Sequence, residues 1–101
     1  MNLNEITNKL KEVIDIYSEK FKIKKGDDWY VLKIQEELGE LTSAYLKLTS
    51  RARRGDSTDE ELAKNLNDEI ADVIAMTLLF AQSRNIDVEQ VLKNKWFKYL
   101  K

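Results

Sequence analysis

Apolar residues recur at steps of three and four along four stretches of the chain, the period of helices that bury one side. In the first, Leu3, Ile6, Leu10, Val13, Tyr17 and Phe21 form one stripe, and Asn2 with Glu5 three residues on has the spacing of an N-terminal cap. This predicts a helix over about residues 3–23. Lys24-Lys25-Gly26-Asp27-Asp28 follows, offering a glycine to stop one helix and an aspartate to cap the next. The second stretch sets Val31, Ile34, Leu38, Leu41, Tyr45 and Leu48 in strict three-four alternation over about 28–50, a narrow seam suited to packing on another helix at a shallow angle. Arg51-Ala52-Arg53-Arg54-Gly55-Asp56 breaks it. Ser57 or Thr58, with Glu60 or Glu61 three residues on, reads as the capping box of a third helix that carries Leu62, Leu66, Ile70, Val73, Thr77 and Phe80 and ends near Ser83. Asp87 with Gln90 caps a fourth, through Val88, Val91, Leu92, Trp96 and Leu100.

The third helix is unlike its neighbours. From Ile70 to Ala81 only Asp72 and Thr77 interrupt a run that is apolar on nearly every face, so protein is expected all around it. Packing within the chain is one way to supply that cover. Four helices of this size barely enclose such an element, however, and the expectation is a homodimer or homotetramer whose partner subunit completes the bundle.

Composition narrows the class further. A chain of 101 residues holds one small domain, read here as residues 1–101, and zero Pro with only three Gly leaves little turn chemistry for a sandwich or barrel. An all-α fold of four helices is expected. Lys plus Arg number 17 against 18 Asp plus Glu, which is no electropositive nucleic-acid module by bulk charge. No stretch has the uninterrupted apolar length of a signal or membrane-spanning segment, so neither membrane nor nucleic acid is expected as a partner, and a cytoplasmic location is.

The chain has no His and no Cys. Zinc sites built on those ligands, thiol nucleophiles, Ser-His-Asp triads, a histidine base and the Glu-x-x-His pairs of di-iron bundles are all excluded for this chain alone. Carboxylates, amines, guanidinium groups and hydroxyls remain, and oxygen donors suit hard cations such as Mg²⁺ or Mn²⁺.

Two carboxylate pairs stand out. Glu37 and Glu40 share a face of the second helix beside its apolar seam, and Glu69 and Asp72 do the same on the third. Three-residue spacing arises readily among 18 acids, and such pairs also make up salt-bridged helix surfaces. Asp72, however, stands inside the apolar run, where an unpaired carboxylate is costly to desolvate. Four carboxylates on neighbouring helices would carry about −4 if ionised, a repulsion that two divalent cations relieve.

Glu36-Glu37-Leu38-Gly39-Glu40-Leu41, followed by Glu69-Ile70-Ala71-Asp72-Val73, resembles the E-x-x-E … E-x-x-D signature of the MazG-like, all-α nucleoside triphosphate pyrophosphohydrolases. The resemblance implies a small four-helix fold in which Glu37, Glu40, Glu69 and Asp72 bind Mg²⁺ at the triphosphate and carry the catalysis. The substrate it implies is a nucleoside triphosphate, canonical or modified, split between the α and β phosphates. It also implies a phosphate-binding lysine on the last helix, and Lys95 resembles it, although Tyr99 stands where family sequences often have Asn.

Arg51, Arg53 and Arg54 follow the second helix, where cations complement a helix C-terminus; Arg51 and Arg54 are also candidates for the outer phosphates. Glu36 points about 100° away from Glu37 and is a secondary ligand candidate. Trp29 and Lys33 precede Glu37 by two turns and one on nearly the same stripe. With Met76, one turn after Asp72, they are candidates for the nucleobase, core packing being the alternative for Trp29 and Met76. Trp96 is expected in the core or at an interface. Phosphoribosyl-ATP hydrolysis is a rival reading on the same fold, and a non-enzymatic helical interaction module, whose carboxylates only make salt bridges, is a rival from another class.

Overall fold

Helices form where the apolar stripes lie, and most of their ends coincide with residues that satisfy otherwise unpaired backbone groups. The computed structural model describes residues 1–101 as α1 (Leu3–Lys20), α2 (Trp29–Leu48), α3 (Asp59–Ser83) and α4 (Val88–Trp96), then a 3₁₀ turn over Phe97–Tyr99, with no strand. Asn2 accepts from the Glu5 N–H at 2.9 Å. Thr58 and Glu61 form a reciprocal capping box, and Asp87 accepts from the Gln90 N–H. The aspartate cap expected for α2 is absent: Asp28 stands at the cap position with φ −101° and ψ 2°, away from the extended geometry that aims a capping side chain, and makes no such bond.

Helix C-termini end differently from the expectation. Lys22, Ser50 and Asn85 adopt φ values of 54°, 60° and 58°. In each case the next N–H reaches back five residues, Ile23 to Ser18, Arg51 to Leu46 and Ile86 to Ala81, at 2.8, 2.7 and 2.9 Å. These are Schellman closures without glycine. Helix α1 therefore stops at Lys20 rather than near residue 23, and Gly26 is not its stop.

Helices α2 and α3 pack antiparallel along their length. Trp29, Lys33 and Glu37 stand level with Met76 and Asp72, while Ser43, Ala44 and Lys47 stand level with Leu62 and Asn65. Helix α1 lies against α3, and a side-chain bond from Gln82 to Asn8 joins them. Ile14, Tyr30 and Leu79 make the core, with Leu10, Trp29, Met76 and Phe80 packed on it; Leu62 is buried at the other end of the hairpin.

The seam of α2 does not bury as a unit. Its buried residues are Tyr30, Glu37 and Ala44, whereas Val31, Leu38 and Tyr45 are 42%, 44% and 48% exposed. At 100° per residue the predicted seam is centred about 70° around the helix from Glu37, and α3 takes the flank centred near Glu37. On α3 itself Ile70 and Ile74 remain 41% and 54% exposed, so the cover expected around this helix is incomplete within one chain. In the antiparallel hairpin these five side chains fall on one side, opposite the side that carries Glu40 and Asp72.

Asp72 is also exposed, which overturns the expectation of a carboxylate sunk in an apolar run; Glu37 is the buried acid. The run around Asp72 is apolar in sequence, but its side chain looks out beside the groove between α2 and α3.

The fourth helix ends at Trp96 instead of continuing to Leu100. Every residue from Glu89 onward is exposed, and Trp96, at 61%, is not core within one chain. The left-handed turn at Asn85 and the cap at Asp87 start α4 in a direction that keeps only its first turn beside the rest of the chain, Val88 near Leu3 and Leu78 and Glu89 near Asn4. The radius of gyration is accordingly 16.2 Å, where a closed 100-residue domain has about 13 Å. No helix is long and apolar enough to cross a membrane.

Candidate active site

Antiparallel packing brings the two acidic pairs to one groove. Glu37, Glu40 and Glu69 each present a carboxylate oxygen within 4.8 Å of the others. Asp72 lies just outside that trio, close enough to Glu37 to act on its ionisation, and lines the same cavity as Glu37. The α2 and α3 registers make this possible: the buried stripe Tyr30-Glu37-Ala44 faces α3, and Glu69 lies two turns beyond buried Leu62 on the answering stripe.

Electrostatics here are unfavourable to an apo site. The Glu37 carboxyl is pushed up from 4.5 to about 7, first by burial, then by repulsion from Glu40 and Asp72, against the partial relief of Lys33. Burial and the Glu40 charge also raise Glu69 and Asp72. Lys33 is the cation nearest Glu37: it bonds Glu36 and stands 3.8 Å from Glu37. Glu37 Oε2 and Glu69 Oε2 are buried with no hydrogen-bond partner. Two orphaned carboxylate oxygens beside converging acids are what a hard divalent cation satisfies, so the donor set fits Mg²⁺ or Mn²⁺.

Cavities open on both sides of the cluster. One, of about 250 Å³, has walls from Val13, Tyr17, Trp29 and Met76, with Lys33, Glu37 and Asp72 at its polar end. The other, of about 200 Å³, is polar and lined by Glu40, Ser43, Lys47, Asn65 and Glu69. The most spacious cavity, about 310 Å³ between the start of α1 and the end of α3, contains only Asp87 among acids, already engaged as the cap of α4.

The residues singled out from sequence divide accordingly. Glu37, Glu40, Glu69, Asp72, Lys33, Trp29 and Met76 converge on the groove and its apolar cavity. Trp29 and Met76 also pack on the core, so both readings of them hold at once. Glu36 is exposed and bonded to Lys33. Arg51 stacks over Tyr45, and Arg54 bonds Ser50 and Asp59; neither lines a cavity at the cluster. Both tie the α2–α3 loop. Lys95 lies on the unpacked α4 and lines neither cavity.

Ser43, Lys47 and Asn65 were not anticipated at the site. Lys47 falls seven residues after Glu40, two helical turns along the same flank, which was the available signal. Val13 and Tyr17 come from α1, whose stripe predicts burial but not its neighbours.

No curated protein and no solved structure matches the chain. A family model, the MazG nucleotide pyrophosphohydrolase domain, matches residues 26–101, a segment that contains both acidic pairs and runs through the last helix. The general activity of that family is nucleotide pyrophosphohydrolysis. With three quarters of its length matched and the carboxylates of two antiparallel helices converging on one groove, the chain belongs to the MazG nucleotide pyrophosphohydrolase family.

Proposed function

We propose that this protein hydrolyses a nucleoside triphosphate, ribo- or deoxyribo-, to the monophosphate and pyrophosphate, with Glu37, Glu40, Glu69 and Asp72 holding Mg²⁺ or Mn²⁺. The observation that carries this reading is the convergence of Glu37, Glu40 and Glu69 with two orphaned oxygens in the matched segment. Bound divalent cations supply charge neutralisation of the triphosphate and acidify water. In the reaction the oxygen of a water attacks the α-phosphorus, the α–β anhydride P–O bond breaks, and pyrophosphate leaves with the electron pair. A carboxylate of the cluster takes the proton of that water. Lys33 holds Glu36 and Glu37 in place from the adjoining turn.

The apolar cavity suits the nucleobase, which stacks on Trp29 with Met76 as a second wall, while Lys47 and Asn65 on the polar side suit phosphate oxygens. Residues 1–25 belong to the same domain in this reading, because Val13 and Tyr17 of α1 complete the base cavity. The protein works as a homo-oligomer: the exposed flank of Val31, Leu38, Tyr45, Ile70 and Ile74 supports burial against a second copy.

Pyrophosphate release measured across common and damaged nucleoside triphosphates, with phosphoribosyl-ATP in the panel, tests the proposal. Activity is expected with Mg²⁺ and not with chelator. Glu40→Gln and Asp72→Asn each lower it by roughly 10²-fold or more while the far-ultraviolet circular dichroism stays helical. Full turnover by both variants refutes the assignment.

A further inference from the structure

Cations gather at a second place, away from the carboxylate groove. A cavity of about 250 Å³ opens between α1, the α1–α2 loop and the end of α3, with Lys11, Lys25 and Arg84 in its walls beside Asp27 and Tyr30. It shares no residue with either cavity at the acidic cluster. Buried Tyr30 lines it, whereas Trp29, which meets Tyr30 edge-on with ring centroids 5.2 Å apart, lines the base-side cavity, so an aromatic pair separates the two.

Lys25 is not a free surface lysine. Only 17% of its side chain is exposed, and its amine donates to Asp15 at 2.8 Å and to the Tyr30 hydroxyl at 3.3 Å. Lys11 donates to the same Asp15 oxygen at 2.6 Å, so two ammonium groups share one carboxylate. An ammonium has three donors, and each of these keeps at least one unused. Arg84 closes α3 and makes neither an ion pair nor a side-chain hydrogen bond; its charge complements the helix end without contact, which leaves the guanidinium donors free. Three cations from three elements thus face two carboxylates, Asp15 and Asp27, around one cavity. The start of α2, which Asp28 leaves without a side-chain cap, borders the same cavity and adds its partial positive charge. A tetrahedral oxyanion offers several acceptor oxygens to donors that arrive from separate directions, which a carboxylate with two oxygens or a halide does not. We propose that this cavity is a second binding site, which takes a phosphoryl oxyanion between Lys11, Lys25 and Arg84.

Calorimetric titration tests this without reference to the proposed activity. The whole protein is stripped of divalent cations with chelator and dialysed, a state in which the carboxylate groove repels anions. It is then titrated with inorganic phosphate, pyrophosphate, a nucleoside monophosphate and acetate. Saturable phosphate binding with a Kd of about 1 mM or tighter is expected, weakened roughly tenfold by Arg84→Gln and by Lys25→Met. Lys47→Ala, in the polar cavity beside the acidic cluster, leaves it unchanged. Arg84 is exposed, so Arg84→Gln keeps the test available even where Lys25→Met disturbs the packing on Tyr30. A monophosphate at least roughly tenfold tighter than phosphate marks the source as a nucleotide, and otherwise the source is the free anion. No saturable binding, acetate as tight as phosphate, binding that Arg84→Gln leaves intact, or binding that Lys47→Ala removes overturns the proposal. A wild type that binds phosphate in this way and releases no pyrophosphate from any triphosphate refutes the proposed function alone.

Discussion

Glu37→Gln isolates the electrostatic cost of the site, because it keeps the shape of a buried side chain and removes its charge. In the metal-free protein the Glu37 carboxyl titrates near 7 rather than 4.5, owing to burial and then to Glu40 and Asp72. A folded-state pKa above the unfolded one means that the native chain holds this proton to higher pH. Wild-type stability therefore falls as pH rises from 4.5 to about 7, and stays reduced above that. The full shift corresponds to about 3 kcal/mol, and screening through the solvent-open cavities on both sides reduces it to roughly 1–2 kcal/mol. In chelator, Glu37→Gln is expected to match wild type near about pH 4 and to exceed it by that amount at about pH 8, a rise in Tm of roughly 5–15 °C. Thermal unfolding followed by circular dichroism across pH measures this. Adding Mg²⁺ at about 100 times its Kd should reverse the order, since about 2.7 kcal/mol of binding linkage goes to wild type and little to the variant. A pH-independent difference, or a variant less stable than wild type at high pH in chelator, refutes the reasoning.

Three further outcomes follow from other parts of the molecule. Lys22→Gly, at a residue held at φ 54° with no side-chain partner, should raise stability by about 0.5–1 kcal/mol in denaturant titrations, the relief of left-handed strain exceeding the added entropy of the unfolded chain. Leu38→Lys should leave the chain helical and shift sedimentation velocity toward monomer, because the substitution puts a charge into the exposed hairpin flank. Trp29→Leu keeps an apolar contact on the core but removes the stacking face, so KM should rise roughly tenfold with a smaller change in kcat.

Helix positions were legible because period and caps are local properties. Thr58 with Glu61 and Asp87 with Gln90 act within one turn of chain, and their bonds appear as expected. Less local features were misplaced. Gly26 looked like the end of α1, yet Lys22 takes the left-handed position, since the backbone closure that spans Ser18 to Ile23 outweighs the preference of the side chain. Asp72 looked buried because a linear apolar run does not reveal which side of the helix a neighbour covers.

Four amphipathic helices, the absence of histidine and thiol chemistry, and two carboxylate pairs each confined to one helix face all follow from residue type and a spacing of a few residues. Tertiary structure decided the rest. The register of α2 against α3 makes Glu37 the buried acid and draws Glu40 and Glu69 to it, while α1 supplies Val13 and Tyr17 from more than a dozen residues away in sequence. It also left Val31, Leu38 and Tyr45 outside and α4 unpacked. The physical reason is that a helical stripe states how much surface needs cover, whereas which part is covered depends on the rotation and offset of neighbouring helices, which only their mutual packing sets.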